Sequence, residues 1–479
     1  MSAGTGYGAT VAASLRGVRP VSADLFHPPR TRALPELPSL ARVLWRGDGD
    51  LLSLVPAKAY RQPMCTLGQT RRSIVMVSDP VLVRRIMTED MDRYPKSDLM
   101  QEALRPLVGD SIFVSGGATW DRQRRMINPA FSHMKLSLAF GPMRDAVQDA
   151  LPALDRSAAA GEQLSLDLLT SHLTADAITR TVFSTPLESR TAHAVFESFL
   201  TFERSVAQVR LLPMIFGKAW ADTPQRPEVL AACARIRELL GELVDAHATR
   251  NTEDIAASMR EARDSAGTPF SREELIDQIG VMFLAGHETT ASALTWILYL
   301  ISMAPAVRER LLAEIRRVVG DDPISFEHVR EMSYVRNVFR ETLRLYPPIT
   351  FMPRVALETA RIGGRTVKRG ALIMISPWVM HRHVKLWKAP DAFDPDRFSP
   401  ERESDLPEWG YIPFGQGPRI CVGQAFAHTE AVLMLAELLR RYDFAPLAPG
   451  AVRPVARLTT RPEAQILCRI TRRREAPRA

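Results

Sequence analysis

One cysteine in this chain sits where a thiolate could work. Phe414-Gly415-Gln416-Gly417-Pro418-Arg419-Ile420-Cys421-Val422-Gly423 is a glycine-punctuated loop, followed at once by a helical pattern. Gly417 lets the chain turn where a side chain would clash, and Gly423 lets backbone come close to something flat. Free N–H groups and the positive dipole end at the start of the next helix favour a thiolate. Arg419, two residues earlier, suits a carboxylate on the same ligand. A lone cysteine is more often a small hydrophobe before an ordinary helix. Against that stand five residue types that agree at once: Phe414, Gly417, Arg419, Cys421 and Gly423.

A second stretch carries ionisable groups where they are costly. Ser271-Arg272-Glu273-Glu274 reads as a capping box, opening a helix from about Arg272 to Met303 that stops at Pro305. Its middle, 279–301, is almost wholly apolar and long enough to span a bilayer. Its centre, however, is Ala285-Gly286-His287-Glu288-Thr289-Thr290. Such groups are expensive in lipid and usually functional. One such span between globular flanks reads better as a helix through a protein core. A lone Glu-Thr there is read as readily as a satisfied buried pair.

The cysteine loop resembles the signature of the heme-thiolate monooxygenases, the cytochrome P-450 superfamily, with no departure at a signature position. Ala285 to Thr290 resembles the oxygen-activation motif of the same family, and the resemblance runs over most of the chain. It implies a mainly α fold with small β-sheets: residues 1–35 a flexible tail, 36–479 a single large domain with a long central helix crossing the heme. It implies heme b, iron protoporphyrin IX, with Cys421 as axial thiolate, Phe414 packed beside it and loop N–H groups tuning it. A thiolate ligand pushes electron density onto iron and favours O–O cleavage. Ala285 and Gly286 are implied to border the heme, Gly286 leaving room for oxygen and water. Thr289 would donate or relay a hydrogen bond, and Glu288 would bring protons from solvent by side-chain rotation.

Other motifs join this set. Trp120 and Arg124 stand at i and i+4 on one helix face, by themselves an exposed cation–π pair. The resemblance puts both on a heme propionate, together with Arg354 and Arg419. Glu341 and Arg344 at i and i+3 usually make a minor surface ion pair. The family buries such a pair, adds Arg397 from Phe393-Asp394-Pro395-Asp396-Arg397-Phe398, and uses the cluster structurally to lock the cysteine-loop region. The irregular stretch 94–117 is implied to form one pocket wall with Leu99, Leu104, Leu107, Ile112, Phe113 and Val114. Phe283, the run Ile349, Thr350 and Phe351, and the late-loop Thr459 complete the expected substrate contacts. A mobile lid is expected over 190–250, with Phe202, Leu211, Leu212, Met214, Ile215 and Phe216 as apolar contacts. His381-Arg382-His383 has no convergent third ligand and is not read as a metal site.

The remaining elements are simpler. A strand pair is expected near 64–67 and 73–77, and Asp79-Pro80 opens a helix through Met87. A core helix is expected over 165–183, a polar surface loop over 251–269, and a hairpin around Gly363-Gly364.

The chain has 479 residues, 46% hydrophobic and 24% charged, which suits a large folded core rather than a disordered chain. Its net charge of +8 is diffuse, without a basic-aromatic stripe, so nucleic acid is not an expected partner. A local basic docking patch of Arg122, Arg125 and Lys135 is expected instead, near the cysteine side of the heme. Cys65, Cys233 and Cys468 stand alone, fitting a reducing cytoplasm. Met1 to Arg30 has no apolar run, so no signal peptide or membrane anchor is readable. The expectation is a soluble, cytoplasmic, bacterial-type monomer.

The function expected is insertion of one oxygen atom from O2 into a C–H or C=C bond of an apolar small molecule, such as a fatty acid or terpenoid. No flavin or iron–sulfur segment is readable, so electrons are expected from a ferredoxin or flavodoxin with its NAD(P)H-dependent reductase. The alternatives are a peroxide-driven peroxygenase, a dehydratase or isomerase on the same fold, and a non-catalytic heme sensor or carrier. The retained Glu288-Thr289 pair speaks against them.

Overall fold

The computed structural model describes residues 25–33, 50–68, 73–206 and 225–473. Strands β1 (Met64–Gly68) and β2 (Ile74–Val77) pair antiparallel, as the sequence implies. Asp79 caps α1 (Pro80–Met87): its Oδ1 accepts from the Val81 and Leu82 amides, and Pro80 occupies the first turn, where its missing N–H costs nothing.

The stretch read as irregular instead contains α2 (Asp98–Val108), with Pro106 inside it. Leu104, Leu107 and Val108 are buried on one stripe, and that burial outweighs the proline. Then follow α3 (Gly117–Ile127), α4 (His133–Ala160), strand β3 (Gln163–Ser165) and α5 (Leu166–Phe183). The lid region holds α6 (Arg190–Val206) and α7 (Pro227–Ala248); Leu211, Leu212, Met214, Ile215 and Phe216 lie outside the described residues. The polar stretch read as a surface loop contains α8 (Ile255–Glu261). Asp254 caps it through the Ala257 amide, and Ile255, Ala256, Ala257 and Met259 are buried, so four apolar residues suffice where composition suggests a loop.

The central helix α9 (Arg272–Met303) has the expected bounds. Ser271 Oγ accepts from the Glu274 amide at 3.2 Å, and Glu274 Oε2 accepts from the Ser271 amide at 2.8 Å. It lies along α5, joined by Thr170 Oγ1 to Thr295 Oγ1 at 2.7 Å and by Thr174 Oγ1 donating to the His287 carbonyl at 3.1 Å. Three helices, α10 (Pro305–Val319), α11 (Phe326–Glu331) and α12 (Ser333–Leu345), lead to strands β4 (Met352–Val355), β5 (Ala360–Ile362), β6 (Arg365–Val367) and β7 (Leu372–Ile375). The short α13 (Pro377–Met380) precedes the cysteine loop, and α14 (Gln424–Leu439) follows it. The chain closes with β8 (Tyr442–Pro446), β9 (Pro454–Ala456), β10 (Thr460–Pro462) and β11 (Leu467–Arg472).

The sheets are small. One runs β1-β2-β7-β4, with β2 and β7 parallel; another runs β3-β11-β8; β5–β6 and β9–β10 are two-stranded. Gly363 and Gly364, at φ +52 and +79, form the expected two-residue hairpin turn. The expected flexible tail is in part tied down. The Phe26 carbonyl accepts from the Phe393 amide, the Pro29 carbonyl from Tyr346 Oη, and Thr31 Oγ1 donates to the Pro454 carbonyl. Among the described residues, no single helix is long and apolar enough to cross a membrane.

The segment leading to the cysteine loop is held by one buried ionic cluster. Arg344 grips Glu341 with Nε at 2.7 Å and Nη2 at 2.8 Å, and Arg397 Nε reaches Glu341 Oε1 at 3.3 Å. Arg344 also donates to the carbonyls of His381, Pro390 and Ala392, and Arg397 to those of Lys388 and Ala389. The cluster therefore sews α12 to residues 381–397. Removing the carboxylate leaves two buried guanidinium groups uncompensated, at a cost of about 3–5 kcal/mol. Glu341→Ala is expected to lower the yield of folded, heme-containing protein sharply and to depress its thermal midpoint. Unchanged heme content and midpoint would contradict the account.

Candidate functional site

The cysteine loop and α9 line one cavity, together with α2, α3, the 348–354 segment and the 458–459 turn. Of the four cysteines, Cys65, Cys233 and Cys468 are buried elsewhere, whereas Cys421 presents its sulfur to this cavity. The loop conformation is fixed by the Cys421 amide donating to the Phe414 carbonyl at 2.9 Å and by Gly417 at φ +74. A Cβ on Gly417 would lie 2.7 Å from Thr88 Cγ2 and 2.9 Å from the Met87 carbonyl oxygen, so glycine is required there. Gly417 shapes the loop without lining the cavity. A Cβ on Gly423 would meet the protein only at ordinary contact distance, 3.8 Å from Phe131 and 4.0 Å from the Cys421 sulfur. The polypeptide does not itself demand that glycine; a flat ligand over the loop would. Phe414 lines the cavity and packs on the His428 ring.

The expected preference for a thiolate is not met by the protein alone. Burial pushes the Cys421 thiol up, and the Gly423 amide and the Arg124 charge pull it down less strongly. A cation bound at the sulfur would reverse that balance.

One wall is cationic. Arg124 donates to the Ile420 carbonyl at 2.8 Å, Arg419 to that of Ser115 at 3.2 Å and Arg354 to that of Pro353 at 3.1 Å, and all three line the cavity. The Arg419 guanidinium lies 4.2 Å from the Trp120 ring centroid. Sequence reading missed a fourth cation. Lys96 lines the cavity, donating to the Phe113 carbonyl, and nothing but its lone charge marked it in the chain. Burial, then Arg419, Arg354 and Arg124, drive the Lys96 ammonium well below its usual range. Burial and Arg419 push Arg354 down to about 10. Among the described residues, no carboxylate comes within ion-pair distance of these four groups. Such a wall suits two acidic groups on a bound ligand, which is what a heme carries.

On α9 the cavity is lined by Val281, Met282, Leu284, Ala285, Gly286, Glu288, Thr289, Thr290 and Ala293, a broad helical face. Thr289 Oγ1 donates to the Ala285 carbonyl at 2.6 Å. Glu288 is buried, accepting from Thr459 Oγ1 at 2.5 Å and from Arg461 Nε at 2.9 Å, with Arg461 Nη2 on its other oxygen. Gly286 serves packing: a Cβ there would lie 2.7 Å from Ile178 Cδ1, so the glycine lets α5 approach α9 rather than only making room for oxygen. Glu430, nine residues after Cys421, was not anticipated. It lines the cavity with Thr290, to which it is hydrogen-bonded, and burial pushes its carboxyl up to about 8.

The expected substrate contacts divide. Ile112, Phe113, Ile349, Phe351 and Thr459 line the cavity, as does Leu104. Val114 is buried elsewhere, its carbonyl taken by Gln101 at 2.7 Å. Thr350 points away between Ile349 and Phe351, as alternation in an extended segment requires, and its carbonyl accepts from Ser376. Phe283 lies off the α9 cavity face, its ring tilted 33° against that of Phe199 with centroids 4.6 Å apart. Phe202 is likewise buried in the lid packing. Arg122 is no docking cation, since Asp264 at 2.7 Å and Glu274 at 2.5 Å neutralise it. His381 accepts from the Ile412 amide at 2.9 Å in the core, in keeping with a structural role.

A sequence model described as Cytochrome P-450 matches residues 32–468. The chain is 31% identical to "Protein LUTEIN DEFICIENT 5, chloroplastic" of Arabidopsis thaliana over 408 residues, 81% of this chain and 68% of that protein. It is 30% identical to "Cyclooctatin synthase" of Streptomyces melanosporofaciens over 399 residues, 80% of this chain and 83% of that protein. Among solved structures, the crystal structure of the cytochrome P450DA heme domain superposes with a TM-score of 0.78 at 26% identity, covering 94% of this chain and 98% of that one. Fold and cavity together define a heme-thiolate enzyme. The chain belongs to the cytochrome P-450 family and is a monooxygenase that carries heme on a cysteine thiolate.

The cationic wall yields a test that does not require turnover. Lys96→Leu removes one charge-assisted contact, so heme affinity is expected to fall about 10–100-fold. The apo-protein, relieved of like-charge repulsion, should be no less stable. Undiminished heme retention would contradict the assignment of Lys96 to this wall.

Proposed function

We propose that the Cys421 sulfur would hold the heme iron in this monooxygenase. Trp120, Arg124, Arg354, Arg419 and Lys96 would donate to the two propionates, and Phe414, Gly417 and Gly423 would shape the loop beside the ring. The observation that carries this reading is that a single cavity joins the sulfur, the cationic wall and the Glu288–Thr289 stretch. When bound, the heme supplies reduction of dioxygen and transfer of one oxygen atom, consuming two electrons and two protons per molecule of O2. Thr289 stands on the cavity face of α9, where its hydroxyl can turn from the Ala285 carbonyl toward a ligand and hold a proton there. Glu288, next to it, supplies the proton, while apolar walls keep bulk water out.

The substrate is an apolar small molecule oxidised at a C–H or C=C bond, of the fatty-acid or terpenoid kind. Ile112, Phe113, Ile349 and Phe351 give the cavity hydrocarbon walls. Two relatives support this: "Pentalenene oxygenase" at 28% identity and "Cyclooctat-9-en-7-ol 5-monooxygenase" at 28%, whose names specify an alkene and an unsaturated alcohol. Electrons come from a ferredoxin or flavodoxin and its NAD(P)H-dependent reductase. The scattered placement of the four cysteines supports this, since they cannot hold an iron–sulfur cluster.

Thr289→Ala is the test. With a surrogate ferredoxin–reductase pair, and a ligand chosen by its low-to-high-spin shift, peroxide release is expected to rise and coupled product to fall, by about tenfold or more. A peroxide-driven enzyme would be little changed. Full turnover on NADPH without an added protein would overturn the partner assignment.

A further inference from the structure

Glu288, Ser292 and Trp296 form one stripe of α9, at i, i+4 and i+8, and the stripe is docked on three consecutive residues of the C-terminal hairpin. The Thr460 carbonyl accepts from Ser292 Oγ at 2.6 Å and from Trp296 Nε1 at 2.9 Å. The Thr460 amide donates to the Pro348 carbonyl at 2.9 Å. On either side of this anchor, Thr459 and Arg461 both take hold of Glu288. Arg461 does so with two nitrogens on two oxygens, the fork geometry that fixes a carboxylate in orientation as well as position. Glu288 is buried, whereas the Arg461 side chain keeps 15% of its surface exposed. The pair thus runs from the cavity wall to the solvent edge.

We propose that Arg461 is the positioning residue for Glu288: its fork on the carboxylate, braced by the Thr460 anchor, sets where the acid stands and how readily it turns toward Thr289. A freely rotating glutamate is not what this site holds. Turning Glu288 costs the Arg461 fork, and the same hairpin presents Leu458 and Thr459 to the cavity. An occupant pressing on the hairpin tip therefore acts directly on the latch.

The inference rests on Glu288 being the proton-delivering acid, and the test separates the two. Holoenzymes carrying Arg461→Gln, Arg461→Lys and Glu288→Gln are compared with the parent. The first readout is hydrogen exchange of the Thr459, Thr460 and Arg461 amides, which should speed up in Arg461→Gln and in Glu288→Gln. The second is reductase-driven O2 consumption without substrate, with its solvent deuterium isotope effect and its partition between peroxide and water. Arg461→Gln should raise the peroxide share and slow consumption, each by up to about tenfold, within the range of a misplaced general acid. Arg461→Lys keeps the charge without the fork and should recover only part of the loss.

Parent-like partition and isotope effect in Arg461→Gln, with Glu288→Gln impaired, would overturn the inference alone. Parent-like behaviour in Glu288→Gln as well would overturn the proton-delivery reading. If Arg461→Gln loses heme, Arg461→Lys decides, and parent-like values in both readouts overturn the proposal.

Discussion

Lys96, Arg124, Arg354 and Arg419 place four cations on one wall of an otherwise mostly apolar cavity, with no carboxylate in ion-pair reach among the described residues. Desolvating a charge costs several kcal/mol even after relaxation. Here the payment is visible in the Lys96 ammonium held well below its usual range and in Arg354 pushed down to about 10. Backbone carbonyls of Phe113, Ile420, Ser115 and Pro353 take some of the donors but carry no full charge. A dianionic ring would supply it. Because the four cations come from the segment just before α2, from α3, from β4 and from the cysteine loop, a ligand that neutralised them would also draw these segments together. Heme binding and folding stability would then be linked.

A second set of buried charges has the opposite character. Glu341, Arg344 and Arg397 are satisfied within the protein, and they bind α12 to the segment before the cysteine loop. That cluster fixes where the loop begins; Gly417, pressed on Met87 and Thr88, fixes how it turns. Across the cavity residues of α9, the Thr460 anchor does similar work for Glu288. The site is thus built from three tied-down pieces around a space that the ligand fills.

Much of this could be read from the chain. The cysteine loop, the capping box of α9, the Asp79-Pro80 helix start and the Gly363-Gly364 turn are local signals, and each appears where expected. The three-way Glu341 cluster was legible through the family resemblance, not through spacing. What was not legible depends on distant partners or on which way a side chain faces. Lys96 is one lysine among surface-like neighbours until the fold brings three arginines to it. Arg461 meets Glu288 across 173 positions. Val114, Thr350 and Phe283 sit beside true cavity residues in sequence, but the turn at 111–114, alternation in the extended segment at 349–351 and helix phase turn them away. α2 and α8 were hidden by Pro106 and by polar composition, and a few buried apolar residues settle both.

The central claim is that the sulfur of Cys421 holds the iron in this cavity. The reduced-plus-CO spectrum of the purified holoenzyme, alongside Cys421→His, tests it most directly. The parent should show the red-shifted band of thiolate ligation, and the variant should lose it in favour of an imidazole-type band. A parent band at the histidine position, or a thiolate band that survives in Cys421→His, would contradict the account.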